Sequence, residues 1–223
     1  MIFKGVLMSD SKDKSTGGRR LSKAEIERTE AFKMTSSDLE SNGYVLKDLT
    51  ATAVQANVLG FVMGGALSAP FIAVFFITGK WNGEFYSALQ YAIVLVCSFV
   101  SIIIHELIHG TSWAIFLKDH FKNIAFGVAW EALMPYCTCK VPMRRGPYVF
   151  GLLMPCITLG VVPGIVSIVI GSSVLLFYSA IMIVSAGGDL LIFMLVIRSK
   201  LKGDVLFLDH PTEVGLVAFV KEK

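Results

Sequence analysis

Charge is what this sequence has least of: Asp, Glu, Lys and Arg together make up 17% of 223 residues, against a usual quarter or so in soluble domains. The deficit is concentrated. Ala53 to Gly79, Phe85 to Ile104 and Gly146 to Gly188 contain no Asp, Glu, Lys, Arg or His at all. With 54% hydrophobic residues and a mean hydropathy of +0.67, an ordinary soluble domain is excluded and a membrane protein is expected. Cysteine is scarce too. The four present do not form a disulfide framework, because Cys97 and Cys156 fall within the apolar stretches and Cys137 and Cys139 lie close together between them. The first 20 residues lack the apolar core and small-residue cleavage site of a secretory signal. A net charge of +3 with no basic patch interleaved by aromatics gives no reason to expect nucleic acid and leaves anionic lipid as a partner.

A helix needs about 20 apolar residues to cross the hydrocarbon layer, so the stretch from Gly146 to Gly188 is long enough for two crossings. Gly171, Ser172 and Ser173 mark the turn between them. The expected architecture is an all-α membrane protein of four transmembrane helices, at about 54–78, 85–117, 147–170 and 174–197, with a small β-hairpin-like segment. Lys and Arg crowd into the first 52 residues, into Lys118 to Arg145 and into the tail from Arg198, with Lys80 left over. Alternating four spans puts the three rich segments on one side, which the charge rule makes cytoplasmic, with Lys80 and the turn at Ser172 facing out. The expectation is a multi-pass protein of the bacterial inner membrane with both termini in the cytoplasm.

Outside the spans the chain divides simply. Residues 1–37 read as a mobile polar segment, with a short surface helix over Ser22 to Lys33. Residues 38–203 form the membrane domain, and 204–223 a cytoplasmic tail. Between the second and third spans, Ile124, Phe126, Val128 and Trp130 alternate with small residues, a period of two that means strand. A second strand is expected over Tyr136 to Val141, ended by Pro142.

The chemistry sits in Ser101 to Gly110, which reads SIIIHELIHG. His105 and His109 are four apart, so on a helix both imidazoles reach one ion, and Glu106 stands beside the first as a general base. Such a pattern arises by chance in about one chain in a hundred of this length. Its setting sharpens it, because ionisable groups at membrane depth cost roughly 2.5–3.5 kcal/mol each unless paired or functional, and a metal is the simplest partner. A catalytic zinc takes three protein ligands and leaves a fourth position for water. The candidates for the third are His120, His210, Cys137, Cys139 and Asp189. Asp189 precedes Arg198 by nine residues and His109 precedes Lys118 by nine, which sets the two level, about 13 Å below the boundary. Asp189 is therefore preferred and His120 comes next. Gly187 and Gly188 are expected to let the fourth helix approach the second closely. Cys137 and Cys139 read as strand residues facing one side, with thiol ligation or palmitoylation as lesser readings.

IIIHELIHG in one span, a hairpin-like segment after it, a further span and then SAGGD in the last make the chain resemble intramembrane metallopeptidases of the site-2 protease type. It is more closely similar to a group of bacterial membrane proteins regarded as zincin peptidases. The resemblance covers Leu39 to Ile197 and implies Zn2+ held by His105, His109 and Asp189, with Glu106 as catalytic base. Site-2 proteases usually carry Leu-Asp-Gly at the third ligand, where this chain has Gly188, Asp189 and Leu190, and their Asn and Pro signature upstream in that span is missing. The expected function is that of a zinc-dependent endopeptidase acting on a membrane-embedded or membrane-adjacent peptide. The rival is a non-enzymatic protein that senses or carries a divalent metal through the same ligands.

Overall fold

The structure is a computed structural model that describes residues 23–79, 87–129 and 134–222. The start of the chain expected to be mobile, the outward loop at Lys80 and the tip of the hairpin with Trp130 lie outside those residues. Helix α1, Lys23–Ser41, is longer than the surface helix expected. It leads through Gly43, at φ +79°, into strand β1, Tyr44–Ala51.

Three apolar helices follow, each with a start that its sequence explains. Helix α2, Ala53–Ile77, and helix α3, Ala88–Ala114, both open on a reciprocal cap. Thr52 takes the Gln55 N–H while the Gln55 side chain takes the Thr52 N–H, and Ser87 does the same with Gln90. The third runs unbroken from Arg145 to Ile170. It consists of α4, Arg145–Pro155, a π-turn over Cys156–Val161 and α5, Val162–Ile170. The π-turn begins next to Pro155, which has no N–H for the α-helical ladder. Gly171 ends α5 in the left-handed conformation, at φ +73°, and Ser172 caps the next helix through the Leu175 N–H, so the tight turn falls where Gly171 and Ser172 predict it.

The last apolar segment is not one straight span. Helix α6, Ser173–Ser185, and helix α7, Gly187–Arg198, meet at 49° around Ala186. Three helices are thus long and apolar enough to cross a membrane, or four if the bent pair is one span. Their outer faces are apolar and uncovered: Phe61, Phe99 and Ile170 are 68%, 71% and 64% exposed. A continuous belt of such residues is what water does not tolerate and lipid does.

The expectation of an all-α fold with one hairpin needs correction. The hairpin is there, as β2, Ile124–Ala129, paired antiparallel with β3, Met134–Cys139. The second strand starts earlier than predicted. A separate four-stranded antiparallel sheet, in the order β1-β6-β5-β4, joins β1 to β4, Met143–Arg144, β5, Val205–Asp209, and β6, Val214–Lys221. The segment expected to be a tail therefore supplies β5 and β6. Leu216 to Phe219 in β6 are buried. The three segments rich in Lys and Arg meet through these strands at one end of the helices.

Candidate metal centre

The main core packs at that same end. Trp113, Tyr148, Leu152, Leu191, Leu195 and Phe207 bring α3, α4, α7 and β5 together just beneath the sheet. His105 and His109 occupy the α3 face that looks into this junction, and both are buried. Their Nε2 atoms stand 3.1 Å apart. Asp189 reaches them from α7, with Oδ2 2.9 Å from His105 Nε2 and Oδ1 3.3 Å from His109 Nε2. The bend at Ala186 places Asp189 in the first turn of α7, where the helix dipole favours a negative charge.

The donor set suits a small cation. Zinc bonds of about 2.0–2.1 Å at tetrahedral angles hold ligand atoms about 3.3 Å apart, close to the separations found here. The ring of His109 is set by an unusual partner. Its Nδ1 lies 2.9 Å from the carbonyl of Gly151, which only accepts, so Nδ1 carries the proton and a neutral ring leaves the Nε2 lone pair facing Asp189 and His105. That carbonyl is available because Pro155, four residues on, has no N–H, while the next N–H, of Cys156, goes to Leu153. Trp113 stacks on the other side of the His109 ring, with centroids 5.2 Å apart and planes at 17°. Its indole fits because Gly151 has no side chain: a Cβ there would come within 2.1 Å of the ring.

Glu106 points from α3 toward the hairpin, where its carboxylate lies near the backbone N–H of Cys137. The next outward N–H of β3, at Cys139, donates to Asp209 of β5 at 3.1 Å. The β3 edge away from β2 is thus lined by two carboxylates. Asp209 also accepts the Tyr148 hydroxyl at 2.6 Å, and Tyr148 returns its carbonyl to the Trp113 indole N–H at 3.1 Å. Burial pushes Asp209 above the usual carboxylate range, against the pull of these two bonds. Sequence reasoning missed Gly151, Trp113, Tyr148 and Asp209. Asp209 had one signal, a lone acid ending the apolar run VLFLD.

The other candidates for a third ligand sit elsewhere. His120, at φ +45°, lies on the surface with Nδ1 on the Ala114 carbonyl. His210 closes the turn between β5 and β6 by accepting the N–H groups of Thr212 and Glu213. Cys137 and Cys139 belong to β3, where burial holds both thiols up, that of Cys139 to about 12, and neither is among the donors that converge. Among the described residues, the one group of three or more His, Cys, Asp or Glu placed to hold a metal ion is His105, His109 and Asp189. Gly187 does not act as expected. It lies against the backbone of Gly60 in α2, so the close approach is to the first apolar helix and not to α3.

Fold and site together define a mostly helical protein with apolar helices of membrane length and a His-His-Asp cluster, its two histidines buried, that could bind a metal. Residues 98–203, which include every member of that cluster, match the model of a family described as "Putative zincin peptidase". The match points to a zinc metallopeptidase. No curated protein and no solved structure matches the chain.

Proposed function

We propose that the protein is a zinc-dependent endopeptidase working within or against the membrane, with His105, His109 and Asp189 as ligands and Glu106 as general base. The observation that carries this reading is the convergence of three donor atoms from two helices, beside a carboxylate that is not one of them. Among the described residues the cluster stops at three donors, as a catalytic zinc site does, whereas a storage or sensing site closes with a fourth. Zinc held there supplies Lewis acidity and water of lowered pKa.

The chain's own groups supply the rest. Glu106 takes a proton at its carboxylate and delivers it to the leaving amide nitrogen. The Gly151 carbonyl and the Trp113 ring keep His109 from turning. An extended substrate segment pairing with the outer edge of β3 lies next to Glu106, near the backbone N–H of Cys137. Pro155 and the bend at Ala186 take no part in the reaction; they fix where two of the ligands stand.

Two variants test the reading. Asp189→Ala should lose bound zinc in elemental analysis of the purified protein, and Glu106→Gln should keep zinc while hydrolysis of a peptide substrate disappears. Full zinc content in the first, or undiminished cleavage by the second, overturns it.

A further inference from the structure

Away from the metal cluster, a cavity of about 680 Å³ opens where α4 begins and α7 has just ended. Arg144, Arg145 and Gly146 line one side, and Leu201, Lys202 and Asp204 the other. Three cations thus face one carboxylate, and the Oδ2 of that carboxylate is engaged by the Tyr44 hydroxyl at 2.6 Å. Among the described residues no acidic group lies within ion-pair distance of Arg144, Arg145 or Lys202. Among the described residues the cavity carries a surplus of positive charge.

Arg145 is also held in place. One guanidinium nitrogen donates to the Leu201 carbonyl at 2.7 Å, and the group lies over the Phe207 ring, 5.7 Å from its centroid. Among the described residues it makes that one hydrogen bond, from a five-donor fork whose geometry suits phosphate oxygens. Arg144 gives the first turn of α4 no side-chain cap, so the N–H groups of Arg145 and Gly146 add to the donors around the cavity.

We propose that this cavity binds the phosphate headgroup of an anionic phospholipid. Its level in the fold selects lipid over free phosphate. Arg145 is the first residue of a 26-residue apolar helix, and Leu201 follows the end of α7 at Arg198 by three residues. In a bilayer, headgroup phosphates lie at the depth where two such helices leave the hydrocarbon, and basic pockets between helix ends are how proteins hold them. Exposed Ile197 in the last turn of α7 offers an apolar surface to an acyl chain, which a free phosphate does not need. The inference rests on the membrane reading proposed above and is independent of metal binding and hydrolysis.

The full chain, purified in detergent, is titrated with short-chain phosphatidylglycerol or phosphatidylcholine, and bound lipid is counted by native mass spectrometry. Wild type should hold phosphatidylglycerol in preference to phosphatidylcholine. Removing two cations in Arg144→Gln/Lys202→Gln should weaken that binding about tenfold or more, while Lys33→Gln/Lys47→Gln, with the same loss of charge elsewhere, should leave it unchanged. Equal loss in both variants means diffuse attraction and overturns the site. Displacement of phosphatidylglycerol by millimolar inorganic phosphate, or capture of an acidic peptide in place of lipid, overturns the choice of ligand. A protein that stays in solution without detergent sinks the membrane reading itself, whereas a detergent-requiring protein with no preference between the two lipids sinks the headgroup site alone.

Discussion

His109 donates from Nδ1 to the carbonyl of Gly151 across 2.9 Å, and it can do so because the chain places a proline four residues beyond that carbonyl. A helix normally engages each carbonyl internally, so a carbonyl whose ladder partner is missing is left whole for an imidazole on a neighbouring helix. Pro155 thereby acts on a group that it does not touch.

Pro155→Ala restores an N–H that competes for the Gly151 carbonyl. The helix should become more stable while the His109 ring loses its orientation, with zinc affinity falling about tenfold or more, as is usual when the partner of a ligating imidazole is lost. Thermal midpoint and zinc affinity measured on the same preparation separate the two effects. Unchanged affinity would mean that the ring is held by Trp113 alone.

Gly187 and Gly188 are adjacent but should respond in opposite ways to alanine. A Cβ on Gly187 would lie 2.2 Å from the Gly60 carbonyl oxygen, backbone that cannot step aside, so α7 must shift and carry Asp189 with it. Nothing lies within 4 Å of a Cβ on Gly188, where alanine should be neutral or gain up to about 1 kcal/mol from helix propensity. The prediction fails if Gly187→Ala keeps full zinc content and wild-type thermal stability.

Tyr148→Phe removes the hydroxyl bonded to Asp209 and leaves a half-buried carboxylate one donor short. The expected cost is about 1–3 kcal/mol of stability. Because Asp209 also holds the Cys139 N–H, amide exchange at Cys139 should accelerate more than exchange in the middle of β6. A uniform increase across the sheet would argue against Asp209 as the link between hairpin and sheet.

His210 makes the sheet sensitive to acid. Its Nδ1 accepts two backbone N–H groups, so it must be unprotonated there, and burial pulls its pKa below 6.5 despite the opposing pull of Asp48 and Glu213. With the folded value below the unfolded one, its contribution is whole above about pH 6.5 and is lost as pH falls through the folded value. His210→Asn keeps an acceptor for the turn and removes the titration. Thermal midpoints between about pH 7.5 and 5 should fall less in the variant; parallel curves would assign the acid sensitivity elsewhere.

The His-His-Asp constellation was legible because helical spacing and depth are both arithmetic on sequence: four residues put two rings on one face, and equal distances to Lys118 and Arg198 set Asp189 level with them. The hairpin was legible because Ile124, Phe126 and Val128 alternate with small residues. Its second strand begins before the predicted Tyr136 because Pro135 lies in the outward-facing register of β3, where no ladder donor is required. The four-stranded sheet was not legible. Its central strand β6 has a run of four buried residues, so the period of two that marks a half-exposed strand is absent, and apolar runs near the spans look like their ends. The role of Gly187 was misread for a different reason: a missing side chain announces a close neighbour without saying which one.

The order of strands sets a timetable for assembly. β6 lies between β1 and β5 in space yet is the last of the described strands to be made, so β1 waits for a partner until synthesis has reached residue 221. Both histidines and Asp189 are synthesised before β6, and the latch from Asp209 to the hairpin becomes firm only when the final strand slides into the gap. A fusion or lesion in Val214–Lys221 should therefore be felt at Glu106, far along the chain from the damage, through an edge that never acquires its support.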